Sequence, residues 1–138
     1  MLKCPFMKAP YIPRISHVLG ALSIYDLEET KGAALWKYDP NNAEQRKIII
    51  REFILKELLY LSYRHRYVLI SLLKDALNSP DYIFSKEFES NYDEHTTMAW
   101  DETEIIDPRG FFADIYRLAN EVWKDDLQKA SLEDPSTW

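Results

Sequence analysis

A mainly α, single-domain helical bundle is predicted for this chain, and three observations predict it. Three glycines in 138 residues argue against tight hairpins and glycine-rich phosphate loops. No glycine or proline interrupts the stretch between Pro40 and Pro80. Apolar residues also recur at spacings of three and four before residue 26 and after residue 107, the period of one helix face. The length suits one domain, 1–138, with enough chain to bury a core unaided. Apolar content of 46% with 29% charged residues excludes a disordered chain and a membrane-embedded one.

The elements follow in order. Prolines at positions 5, 10 and 13 forbid regular helix and predict an extended N-terminal arm over 1–14. From Ser16 the apolar stripe Val18, Leu19, Leu22 and Tyr25 predicts an amphipathic helix with Ser16 as its cap. Ala33, Ala34, Leu35 and Trp36 suggest a further short turn. Asp39-Pro40-Asn41-Asn42, with Gln45 three residues on, is a helix start. The apolar residues of 42–78 point in nearly every direction around a helix, which predicts central, surrounded helices. One continuous helix over that span would be about 55 Å long, too long for a compact domain of this size, so a kink is expected near Tyr63-Arg64. Residues 81–107 lack a persistent period and are expected to form a loop, with a short helix opened by Ser79-Pro80. Asp107-Pro108 supplies a cap and a proline at the first helical position. It opens an amphipathic C-terminal helix over 108–130, half apolar and half charged. The tail 131–138 is expected to fray.

Catalytic and metal-binding signatures are missing from the sequence. No G-x-S-x-G, G-x-x-x-x-G-K-[ST] or G-x-G-x-x-G occurs. His17, His65 and His95 show no paired ligand spacing. His17 reads as a capping or surface residue. His65, between Arg64 and Arg66, reads as part of a helix junction rather than a phosphate site. An EF-hand register starting at Asp93 would put His95, Thr97 and Met98 where oxygen ligands and a glycine are wanted. Di-metal bundles use Glu-x-x-His on two helices, and none occurs. The single cysteine, Cys4, allows no internal disulfide and no cysteine-based zinc site. The expectation is a protein that is not an enzyme and needs no cofactor and no metal. Its first residues carry no secretory pattern and no apolar run spans a bilayer, so a cytoplasmic location without membrane contact is expected.

Charge is the unusual feature. Residues 79–138 hold fifteen acidic and five basic side chains, whereas 41–78 hold four and seven. Within 81–107 nine carboxylates face Lys86 alone, a net charge of −8. Such self-repulsion costs stability, and its alternation with aromatics points to a surface for a basic partner, steered by carboxylates. The expected partner-binding residues are Glu87, Glu89, Tyr92, Asp93, Glu94, Trp100, Asp101, Glu102, Glu104 and Asp107. Trp100 is either an anchor of that interface or a core residue. The basic excess over 41–78 is small and shares helices with core residues, so direct nucleic-acid binding is not expected.

With its acidic 87–107 segment and the helix start Asp107-Pro108-Arg109-Gly110-Phe111-Phe112, the chain resembles the small acidic immunity proteins of bacterial toxin systems, contact-dependent growth inhibition among them. That resemblance implies a protein-binding inhibitor whose partner is a cognate toxin domain, most plausibly a nuclease. The alternative reading is a helical adaptor or regulatory subunit that binds another basic protein.

Overall fold

A computed structural model describes the backbone of residues 1–138 and every side chain except that of Tyr92. The fold is mainly α, as the sequence predicts. Five α-helical segments are present: α1 (Ala33–Leu35), α2 (Ala43–Ile49), α3 (Tyr63–Leu77), α4 (Pro108–Val122) and α5 (Lys124–Ser131). Helices of 3-10 form occupy Ile15–Leu22, Leu58–Tyr60, Phe84–Phe88, Tyr92–Glu94 and Pro135–Thr137, and π-helical turns occupy Glu28–Gly32 and Ile50–Leu55. Extended pairing among the described residues is limited to three isolated bridges.

The predicted starts of α2 and α4 form for the predicted reasons, whereas Ser16 does not cap the first helix: it lies inside Ile15–Leu22, whose N-cap is Arg14. The Asn42 side chain accepts from the amides of Glu44 and Gln45 and caps α2. Asp107 accepts from the amide of Gly110, with Pro108 in the first turn of α4. A Cβ at position 110 would overlap the Asp107 carboxylate as it stands, so a larger residue there would make the capping side chain shift.

Two boundaries and one burial pattern differ from expectation. The break in 42–78 lies at Leu61-Ser62, both extended, ahead of the expected Tyr63-Arg64. Ser62 is the better cap, accepting from the His65 amide, and Leu61 is buried at the turn. The first half of this stretch is also one-sided rather than surrounded. Ile49, Ile50, Ile54, Leu55 and Leu58 are buried while Ile48, Leu59 and Tyr60 are exposed. At the other end, 108–130 is not one helix. Trp123 leaves helical geometry at φ −104° and ψ 24°, and the turn lets its ring pack into the core while Leu127 and Ala130 also stay buried.

The core is one cluster fed by all five α-helices, the π-helical turn Ile50–Leu55 and the 3-10 helices Ile15–Leu22, Leu58–Tyr60 and Phe84–Phe88. α3 packs along both α4 and α5, and the Ile15–Leu22 helix packs on the π-helical turn Ile50–Leu55. Two arginines tie helices together across the core. Arg46 donates to Asp114 on α4 at 3.1 Å and to the Pro40 carbonyl at 2.9 Å. Arg66, buried, donates to Asp126 on α5 at 3.0 Å and to the Leu61 carbonyl at 3.3 Å, beneath the Trp123 ring. A buried guanidinium is tolerated because these acceptors replace its lost water.

Both ends are attached. The arm 1–14 is not fully extended but folds back on itself. Cys4 donates to the Ala9 carbonyl and Tyr11 to that of Leu2, each at 2.9 Å. Pro10, which has no amide proton, cannot carry the pairing itself. His65 fixes this turn to α3, with Nδ1 at 2.6 Å from Ser62 Oγ and Nε2 at 2.5 Å from the Lys3 carbonyl. The tail is likewise docked rather than frayed. Glu133 accepts from the Tyr63 hydroxyl at 2.7 Å and from Arg64 Nε at 2.8 Å. Trp138 lies edge-on to Tyr67 and beneath the Arg64 guanidinium. An aromatic terminus with a charged clamp beside it gains more by packing than an unstructured tail would.

The hydrogen bonds from Tyr63 and Arg64 hold the Glu133 carboxyl below its ordinary value. A carboxyl lowered in the folded state stabilises the docked tail above the ordinary carboxylate range, and that contribution is lost as pH falls through the folded value. The Trp138 indole resonance should therefore stay constant from neutral pH to about pH 5 and shift only in stronger acid. Glu133→Gln should remove that acid transition. A tail that releases near neutral pH would contradict the clamp.

Candidate functional site

The acidic segment 81–107 is held on the body by contacts from four directions. Arg109, in the first turn of α4, donates to the carbonyls of Leu77, Ser79 and Tyr82 at 3.1, 3.0 and 2.9 Å. Its guanidinium also lies over the Phe84 ring, 4.8 Å from the centroid. Phe84 and Phe88 then pack against Phe111 and Phe112 of α4. Further along, Ile24 donates to the Thr97 carbonyl at 2.7 Å and Ala99 to that of Leu22 at 2.8 Å. Trp36 Nε1 donates to the Ala99 carbonyl at 2.9 Å. Asn41 binds the Glu104 carbonyl at 2.8 Å through its amide nitrogen, and its side-chain oxygen accepts from Ile106 at 3.0 Å. A segment without helical period thus finds partners for its backbone outside itself, as burial requires.

The predicted site residues divide accordingly. Trp100 is only 6% exposed and belongs to the core, so its place among the partner-binding residues is corrected. Phe84 and Phe88 are buried with it. Phe84, Phe88 and Trp100 are packed inward, Tyr82 is half-buried, and most of the carboxylates between them stay outside. The side chain of Tyr92 lies outside the described residues.

Glu89, Asp93, Glu94, Glu102, Glu104 and Asp107 are exposed, while Glu87 and Asp101 are half-buried. Glu87 accepts from the Tyr82 hydroxyl at 2.6 Å. Burial and this carboxylate push the Tyr82 hydroxyl well above its ordinary pKa. Asp101 accepts from the Thr103 hydroxyl and amide, which hold its carboxyl low. Glu104 returns to the Asp101 amide at 3.1 Å. The apolar residues that this segment does expose are Ile83 and Ile106, at 63% and 84%. Sequence reasoning missed them, although the pair Ile105-Ile106 held a signal. Ile105 is buried, and adjacent residues of an extended chain point opposite ways.

Charge compensation is unevenly spread. Nine ion pairs form among the described residues, and none includes a carboxylate of 81–107. Of the fourteen acids elsewhere, seven have cationic partners, Asp114, Glu121, Asp126 and Glu133 among them. At one end the segment walls a polar cleft of about 530 Å³, with Glu87, Glu89 and Glu94 facing Arg14, His17 and Tyr60. His17 Nδ1 accepts from the Arg14 amide at 3.1 Å, the capping role read from its position. Desolvation and the nearby Arg14 charge lower its pKa. His95, exposed and in left-handed geometry at φ 55°, lies against Tyr25.

Among the described residues, no group of three or more His, Cys, Asp or Glu side chains is placed to hold a metal ion. No described helix is long and apolar enough to cross a membrane. Comparison of the chain with family models, curated proteins and solved structures found no match.

Trp100→Ala should act on folding rather than on recognition. Removing a buried indole should lower the unfolding free energy by about 3–5 kcal/mol, read as a fall in the denaturation midpoint. A variant as stable as the parent would mean that Trp100 is not part of the core.

Proposed function

We propose that the chain is a protein-binding inhibitor that receives a basic protein on the carboxylates of 81–107. In this reading it acts as an immunity protein does, covering a toxin domain, most plausibly a nuclease whose own surface is built to hold phosphates. One observation carries the reading. Seven of the fourteen acids elsewhere on the molecule are paired with arginine or lysine, whereas none of the nine in 81–107 has a cationic partner among the described residues. A protein that only needed solubility would gain from a mixed surface and would not keep one sign in one place. Carboxylates held on a fixed frame steer a basic partner into register, and they act mainly on the rate of encounter. Exposed Ile106, and Ile83 with it, supply the apolar contact that steering alone lacks.

The test is binding kinetics against the product of the adjacent gene. Replacing Glu89, Glu94 and Glu102 together by lysine should slow association about tenfold or more at low ionic strength and flatten its salt dependence. Dissociation should change little. Ile106→Asp should do the reverse, speeding dissociation with little effect on association. If the charge reversals leave both rates untouched, the acids serve only solvation and the reading fails.

A further inference from the structure

The face around the polar cleft carries a second patch, of opposite sign. Residues 1–25 contain Lys3, Lys8 and Arg14 and no acid, a net charge of +3. None of these cations joins an ion pair. Arg14 nevertheless lines the same cleft as Glu89 and Glu94. Arg14 thus stands across the cleft from Glu87, Glu89 and Glu94, with Lys86 beside those carboxylates, and no ion pair among the described residues joins the arm's cations to them.

The basic side also exposes several large apolar side chains. Phe6 and Met7 are 85% and 66% exposed at the tip of the arm. Phe6 stacks on Tyr60 at 5.9 Å with the rings nearly parallel. Tyr60 is itself 60% exposed and Leu59 beside it 56%. Tyr60 and His17 border both the polar cleft and a smaller recess under the arm. Across this face, then, the order is cationic arm, exposed aromatic stack, cleft and carboxylate wall. The arm does not hang loose. It is closed by its own backbone pairing and fixed to α3 through His65, so its tip is presented without the ordering cost of a flexible tail.

We propose that this face is self-complementary and pairs with a second copy of the chain. A two-fold axis through the cleft sets the arm of each copy on the carboxylates of the other, with the two Phe6–Tyr60 stacks covered between them. A basic partner seated on 81–107 leaves the arm's cations and its apolar tip uncovered. A second copy supplies both signs from a single surface, which is the requirement of an isologous contact. The proposal stands apart from the binding of a basic partner, but the two share Glu89 and Glu94. Self-association therefore masks part of the acidic surface until a partner competes for it.

Sedimentation velocity near millimolar concentration tests the arrangement, with thermal melts confirming that each variant folds. The parent chain should sediment as a dimer at about 50 mM salt and as a monomer at about 500 mM, where screening is several-fold stronger. Lys3→Glu with Lys8→Glu should abolish the dimer, and so should Glu89→Lys with Glu94→Lys. Mixing the two doubly substituted proteins should restore it, because each reversed wall then meets its opposite on the other chain. Only the variant with the reversed carboxylates should associate more slowly with the product of the adjacent gene, which separates the two readings. A parent chain that stays monomeric at low salt overturns the proposal, as does a dimer that survives both reversals or a mixture that stays monomeric. Binding of a monomeric parent to vesicles of phosphatidylserine and phosphatidylcholine would assign the arm to lipid instead and would also overturn it.

Discussion

The Arg109 guanidinium closes the junction on which the acidic surface rests. The last carbonyls of α3 have no partner within their own helix, and the chain turns immediately afterwards through Ser79-Pro80. Arg109 answers both needs by donating to the carbonyls of Leu77, Ser79 and Tyr82. Because it sits in the first turn of α4, the same contact sets the end of α3 against the start of α4. Its flat face then seats Phe84, and Phe84 leads Phe88 onto Phe111 and Phe112. A lysine there would offer a single charged point and no planar face, so it could not serve three carbonyls and a ring at once.

The frame explains how so much like charge stays in place. Nine carboxylates over 81–107 repel one another, and no ion pair among the described residues relieves them. What holds the segment is burial of its apolar side chains and hydrogen bonding of its backbone to the body. Phe84, Phe88, Met98, Trp100 and Ile105 are buried, the backbone is bonded to Leu22, Ile24 and Asn41, and several acids are engaged as acceptors. Asp107 caps a helix, Asp101 holds Thr103, and Glu87 takes the Tyr82 hydroxyl. Burial of each large side chain contributes about 1.5–3 kcal/mol, enough to outweigh repulsion between charges that face water. The carboxylates are therefore displayed as a fixed pattern, and a fixed pattern is what selective recognition needs.

Much of the helical scaffold was legible because its signals are local. Asn42 and Asp107 announce caps by residue type, and Pro108 fits only a first turn. The features that escaped depend on partners far along the chain. The break in 42–78 was expected, but its place at Leu61-Ser62 is set by Arg66 reaching the Leu61 carbonyl and by Asp126 on α5. The docking of the tail rests on Tyr63, Arg64 and Tyr67 meeting Glu133 and Trp138. For the site, the concentration of acid was visible in composition, but the sidedness of the aromatics was not. An aromatic beside an acid reads equally well as an interface anchor or as a core residue. Only the pairing of Ala99 with Leu22 and the reach of Trp36 to the Ala99 carbonyl put Trp100 inside.

Native-state hydrogen exchange tests most directly whether 81–107 is a fixed frame closed by Arg109. The amides of Ile24 and Ala99, each bonded across the segment boundary, should exchange at least about a thousandfold more slowly than in a free chain. Arg109→Lys should raise their exchange while the mid-helix amides of α3 and α5 keep theirs. Free-chain exchange of Ala99 in the parent protein, or protection unchanged by Arg109→Lys, would contradict the account.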